Sequence, residues 1–272
     1  MTRVTVAGVP YWVSVQQLLG RRDWARSEGG WTTELSRDDA ADLMARLRGV
    51  GLGGTVLSVR CQPRLKRPAV RAGRLRDARA RRQTTPGFDR PGCRLDAEGK
   101  WSLTPSVLAL QLARPWSGAT VVDATCGAGG NAIGFARAGC EVTAIDRDAG
   151  RLALARHNAA EYGVSDRIRF VHGDALHEAA ARQADLLFAD PPWGTDWDRS
   201  CTRLDQLPLV QELLDLGYPT TVLKVPPSFD PATVPDCTPR AWFGTAAGDH
   251  HRVKFVTVSV GRGPRPPAPS RR

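Results

Sequence analysis

The sequence predicts an α/β protein: a doubly wound, mostly parallel sheet, preceded by a small basic α/β appendage. Three observations carry this. From about Trp101 onward, short apolar runs alternate with stretches of helical periodicity, the signature of repeated βα units. A glycine-rich turn, Gly127-Ala128-Gly129-Gly130, joins the first run to its helix. The basic excess is confined to the first 100 residues, which hold 20 Lys and Arg against 10 Asp and Glu, whereas the other 172 hold 18 of each.

In chain order, Ser36 is placed to cap a helix through Arg48, with Asp38 and Asp39 in its first turn. Gly49, Gly51, Gly53 and Gly54 break it. Thr55 to Val59 then reads as a strand and Pro68 to Gln83 as a basic helix, giving an α-β-α appendage over residues 1–87. Residues 88–261 form the main domain. Its strands are Ala119–Ala124, Glu141–Ile145, Ile168–Val171, Asp185–Ala189, Thr220–Val225, Arg240–Thr245 and Val253–Val260. Helices are expected over Ala132–Ala138, Ala149–Tyr162 and Leu204–Leu216. The Pro- and Arg-rich tail, 262–272, reads as disordered.

Composition excludes several classes. An apolar fraction of 42% with 24% charged residues is that of a globular protein. No apolar run approaches the roughly 20 residues of a membrane helix. No secretory signal is legible, and the six scattered cysteines form no CxxC pair, so a reduced, cytoplasmic protein is expected. No His–carboxylate spacing suggests a metal site, and none is expected.

Between Arg60 and Arg82 stand ten basic residues and one acid, Asp77. Such a stripe attracts a phosphate backbone by releasing its counterions, which makes Arg71 and Arg74 candidate contacts to RNA. A solvated helix face is the alternative reading.

In a doubly wound sheet the ligand sits at the carboxyl ends of the strands. There the chain places Asp123, Asp146 and Asp174 at three successive strand ends. Asp146 is placed to accept from ribose hydroxyls and Asp174 from an adenine amino group; each could instead be a strand-end cap. The glycines admit a cofactor close to the backbone. Asp123 suits a positive amine better than a pyrophosphate, which favours S-adenosylmethionine over a dinucleotide. The fourth strand ends in Asp190-Pro191-Pro192-Trp193-Gly194. A carboxylate and a carbonyl can grip both hydrogens of an exocyclic amine, while Trp193 offers a stacking face. Trp197 forms a second wall or packs the loop. Lys224 reads as a solvated strand end, and His250 and His251 as part of a hairpin loop.

The stretches VVDATCGAGGNAIGFARAG, EVTAID, LALARHNAAEYGV with DRIRFVHGDAL, and DPPWG resemble class I S-adenosylmethionine-dependent methyltransferases, more narrowly the trimethylguanosine synthases, or RNA cap guanine-N2 methyltransferases. Residues 88–105 resemble the stretch preceding that core, and HHRVKFVTVSVG its closing strand. The resemblance implies a Rossmann-like seven-stranded sheet with an antiparallel last strand. It implies a cofactor site of Thr104, Asp123, Cys126, Gly127, Gly129, Asn131, Asp146 and Asp174. The reacting set would be Asp190, Pro191, Pro192 and Trp193, with Trp193 on the target base; Trp197, from its spacing, and Arg71 and Arg74, from the basic stripe, are further substrate candidates that the resemblance does not cover. The implied reaction is N-methylation of a purine exocyclic amine, guanine N2, in RNA. The same chemistry on a free nucleotide or purine-like small molecule is the first alternative, and a non-catalytic RNA-binding protein the second. The family carries Ser at the position of Asp190, so this tetrapeptide also resembles adenine-amino methyltransferases. Residues 1–87 match no family extension.

Overall fold

The computed structural model describes residues 1–20, 22–193 and 197–263. The first third holds β1 (Thr2–Ala7), α1 (Val15–Leu19), β2 (Ala25–Ser27), β3 (Gly30–Leu35), α2 (Arg37–Leu47), β4 (Gly51–Leu52), β5 (Thr55–Val56), β6 (Ser58–Gln62) and α3 (Arg67–Ala80). Then come α4 (Gly99–Ser102), α5 (Ser106–Ala113), β7 (Thr120–Asp123), α6 (Gly130–Arg137), β8 (Glu141–Asp146), α7 (Ala149–Glu161), β9 (Ile168–His172) and α8 (Ala175–Ala180). The series closes with β10 (Leu186–Ala189), α9 (Val210–Asp215), β11 (Thr220–Val225), β12 (Thr238–Phe243) and β13 (Val253–Gly261).

Strands β7 to β13 form one seven-stranded sheet in the order β12-β13-β11-β10-β7-β8-β9. The pairs β10–β7, β7–β8, β8–β9 and β10–β11 are parallel, while β13 runs antiparallel to both β11 and β12. The central strands are apolar throughout because helices cover both faces. One core lies under α5, α6 and α7. The other lies under α8 and α9. The order reverses between β7 and β10, and the crevice beyond the carboxyl ends at such a reversal is where a doubly wound sheet takes its ligand. Among the described residues, no helix is long and apolar enough to cross a membrane.

The appendage differs from the expected α-β-α. It is built on a four-stranded antiparallel sheet, β2-β3-β1-β6, with α2 packed on α3. The stretch expected as one strand, 55–59, is split at Leu57, which is buried and exchanges backbone hydrogen bonds with Gly49 and Val50. Thr55–Val56 pairs back on β4, and Ser58–Gln62 pairs with β1. Ser36 caps α2 through the Asp39 N–H, as its sequence position predicts. The basic helix ends at Ala80, three residues early, and its Gly73 lies against Ala41 so closely that a Cβ would stand 2.5 Å from the Ala41 carbonyl oxygen. The helix expected over 204–216 shortens to a 3-10 turn at 204–206 and α9, because Pro208 and a left-handed Leu209 (φ 66°) intervene. Of the tail, 264–272 lies outside the described residues.

This first region is not set apart from the large sheet. Its core of Val4, Val6, Leu35, Leu43 and Leu57 includes Phe243 of β12, and Val253 of β13 packs against it. Asp77 pairs with Arg252, and buried Asp249 accepts from both the Thr85 N–H and its hydroxyl.

Candidate active site

The crevice is built from the turn after β7 and the segment after β10. Gly127 (φ +53°) and Gly129 (φ +92°) fold that turn. A Cβ on Gly127 would meet nothing within 4 Å, whereas Gly129 lies against Ala155 and Gly130 under Leu103. Open space at Gly127 lets a ligand approach the backbone, whereas Gly129 and Gly130 serve packing. Asp146, at the end of β8, accepts from Gly127 N–H at 2.8 Å and from Asp148 N–H at 2.9 Å, so this half-buried carboxylate braces the glycine turn. Asp174 is exposed and caps α8 through the Leu176 and His177 N–H groups. Its local role is thus that of a strand-end cap.

Asp123 is completely buried, and only its Oδ1 has a partner, the Thr125 N–H at 3.3 Å. Burial pushes its carboxyl up to about 8, with Asp190 and Asp146 adding to the rise. A lone carboxylate in such surroundings costs several kcal/mol unless a cation joins it. Among the described residues, five buried side-chain polar atoms have no hydrogen-bond partner. Four of them are Asp123 Oδ2, Asn131 Oδ1, Thr104 Oγ1 and Trp193 Nε1, all around this crevice. Native interiors satisfy such atoms, so their convergence marks a place where a polar ligand completes the hydrogen bonding. Cys126 is buried there, its thiol pushed up by burial, and it serves packing.

On the other side, the Asp190 N–H donates to Thr125 Oγ1 at 2.8 Å, tying the two loops together. Its Oδ2 lies 2.5 Å from Lys224 Nζ and 3.5 Å from Asn131 Nδ2. Lys224 is 4% exposed and also donates to the Ser102 carbonyl at 3.1 Å. It is therefore not the solvated strand end that the sequence suggested. Parallel pairing of Ala189 with Leu223 brings the next residues on each strand, Asp190 and Lys224, together. Burial raises the Asp190 carboxyl, and Lys224 pulls it back down. The Lys224 ammonium stands 5.7 Å from the centre of the Trp193 ring, which meets Trp197 edge-on at 5.7 Å. Pro191 is buried and Pro192 exposed; Gly194 lies outside the described residues.

Residues 85–104 run over α7 and back to this crevice. Buried Asn158 of α7 accepts from Arg94 N–H and donates to the carbonyls of Arg94 and Ala128. Arg151 pairs with Asp96 and Glu98. This pinning sets Thr104 beside the glycine turn. Asn158 escaped the sequence reading and Lys224 was assigned to solvent; their signal is a single polar residue inside an otherwise buried strand or helix face. Arg71 and Arg74 lie exposed on α3, remote in sequence from every crevice residue. His250 and His251 fall in the turn between β12 and β13. Among the described residues no cluster of His, Cys, Asp or Glu could hold a metal ion.

A seven-stranded sheet with one reversed strand, a glycine turn after its first strand and an acid after its second is the arrangement that the resemblance to class I methyltransferases implies. Residues 118–213 match the family model described as RNA cap guanine-N2 methyltransferase. The chain is 35% identical over 113 residues to the trimethylguanosine synthase of Schizosaccharomyces pombe, covering 38% of this chain and 47% of that protein. It is 42% identical over 80 residues to the release factor glutamine methyltransferase of Chlorobaculum tepidum, 27% of each. Among solved structures it is similar to TrmN from Thermus thermophilus, at 26% identity and a TM-score of 0.39, covering 57% of this chain and 46% of that one. The chain thus spans less than half the length of these relatives.

Proposed function

We propose that the protein is an S-adenosylmethionine-dependent N-methyltransferase that modifies the exocyclic amine of a purine, guanine N2, in RNA. The observation that carries this is the meeting of a buried carboxyl with one unpartnered oxygen, Asp123 Oδ2, with the Asp190-Pro191-Pro192-Trp193 segment across one crevice. The residues present fit the cofactor. Asp123 Oδ2 is an acceptor waiting for a cationic amine, Gly127 leaves room beside the backbone, and Asp146 keeps acceptor capacity for ribose hydroxyls. When bound, S-adenosylmethionine supplies an electrophilic methyl group on a sulfonium.

The chain's own groups do the rest. Lys224 and Asn131 both engage Asp190 Oδ2, which assigns Oδ1 to one amine hydrogen and the Pro191 carbonyl to the other. Two acceptors draw the nitrogen lone pair out of conjugation and aim it. Holding the reactants in line removes the entropic part of the barrier. No strong base is needed, because the proton leaves after the methyl has arrived; Asp190 is placed to receive it. Trp193 supports the base, a contact typically worth about 1–3 kcal/mol. The family match supports RNA as the substrate class, and the exposed arginines of α3 supply a phosphate-binding face.

Methyl-labelled S-adenosylmethionine is incubated with total RNA, a nucleotide mixture and total protein, beside Asp190→Ala. Label in N2-methylguanosine from RNA, absent with the variant, is the expected result. Label confined to free nucleotides or to protein refutes the RNA assignment.

A further inference from the structure

The exposed large apolar side chains of the described residues include two aromatics, Tyr11 at 96% and Trp101 at 91% accessibility. A single exposed aromatic is ordinary; their placement is not. Trp101 lies in α4, one residue before Ser102, whose carbonyl receives Lys224 beside Trp193. Lys100, exposed, precedes it. Tyr11 lies in the turn whose Pro10 and Trp12 enclose Gly53, leaving a Cβ there only 2.8 and 2.7 Å from them. The Gly53 and Gly54 N–H groups donate to the Pro227 and Ser228 carbonyls, just beyond β11. Gly51 of the same hairpin lies against the Arg199 and Ser200 backbone. There the Arg199 guanidinium covers Trp197, which abuts Trp193. Two bare aromatic faces and two exposed cations are thus each tied, within a few contacts, to the Trp193 pocket.

Resting on the methyltransferase reading of that pocket, we infer that this rim is a track for single-stranded RNA. Bases flanking the target stack on Trp101 and Tyr11, and Lys100 and Arg199 meet the phosphates between them. Stacking needs a free π-face and tolerates any base, whereas cations beside the rings follow the backbone. A lone nucleotide has one base and cannot use both platforms. The track therefore selects a polynucleotide, and an unpaired one, because paired bases hide their faces.

The test measures binding of the full chain to a fluorescent mixed-sequence single strand of roughly twelve nucleotides, a length within the usual reach of such tracks. Added salt suppresses the purely ionic contribution. Trp101→Ala should weaken binding roughly fivefold or more, Tyr11→Ala likewise, and Trp101→Phe far less. Cofactor affinity and thermal midpoint should stay at wild-type values in all three. A duplex of the same sequence should bind more weakly than the single strand. Wild-type affinity in both alanine variants overturns the inference, as does equal loss in Trp101→Ala and Trp101→Phe with a lowered thermal midpoint. Failure of the wild-type chain to bind single strands also overturns it. Should stacking-dependent binding appear while no methyl group reaches RNA, the track stands and the reaction assignment falls.

Discussion

Replacing Lys224 by Met keeps the length of the side chain and removes its charge. Asp190 would then lose its 2.5 Å partner in a site where its side chain is 15% exposed. An opposite charge at such range normally lowers a carboxyl by roughly 1–3 units. Burial already raises Asp190, so without Lys224 the raising effect is opposed only by the long Asn131 hydrogen bond. That fixes the sign. The amine needs an ionised acceptor, so activity is lost as pH falls through the Asp190 pKa, and the variant loses it at higher pH than the wild type. The acid limb of kcat/KM should move to higher pH in the variant, so that the loss relative to wild type grows as pH falls and narrows toward pH 9. Stability should suffer less than the ~3–5 kcal/mol expected for stranding a buried charge, because Asp190 can take up a proton instead. The assay is methyl transfer measured from pH 5.5 to 9.5, with a urea melt at each end. A uniform drop with an unmoved acid limb would show that Lys224 does not set the charge of Asp190.

Other outcomes rest on the same geometry. With Asp123 pushed up to about 8, cofactor binding below that pH must release a proton. Affinity should therefore rise by up to roughly tenfold per pH unit until pH 8 and then level, and calorimetry in buffers of different ionisation enthalpy should count the proton. Asp123→Asn should abolish cofactor binding while raising the thermal midpoint. The gain should be larger at pH 9 than at pH 6, since the folded state carries the buried charge only above its raised pKa. Gly127→Ala puts a methyl into open space at φ +53°; about 1 kcal/mol of stability should go, while cofactor affinity falls by roughly tenfold or more in a calorimetric titration. Arg71→Ala and Arg74→Ala should each reduce the slope of log affinity for RNA against log salt by about one, and leave turnover of a free nucleotide unchanged.

The parallel sheet was legible because strands buried on both faces must be written as short apolar runs. Each glycine turn and terminal acid then falls at a carboxyl end by topology alone. What escaped was pairing across the sheet. Nothing in the sequence says that β10 and β11 lie side by side in the register that sets Asp190 against Lys224, so a lysine among apolar residues reads as an exit to solvent. The appendage failed for a different reason. In β1 the buried positions are Thr2, Val4 and Val6, a half-buried alternation with Arg3 and Thr5, and β3 carries one buried residue in six. Such strands leave a weak trace beside a strongly patterned helix like α2. Asp174 was ambiguous in the sequence between ligand and cap, and a cap is what its side chain forms in the fold.

The core of the first 60 residues counts Phe243 among its members, and Val253 packs against it. A ribosome delivers those two some 180 residues after the strands they cover. Chains usually fold from the amino end as they emerge, but here the first layer is complete only once β12 and β13 have been made. A nascent chain halted at residue 240 can pack β1, β3, β6 and α2 on one another but still lacks Phe243 and Val253 at the edge of that core. Synthesis must carry this unfinished layer until β12 and β13 arrive. Slowing translation across the codons of β12 and β13 should therefore lower soluble yield more than slowing it across β7 to β11.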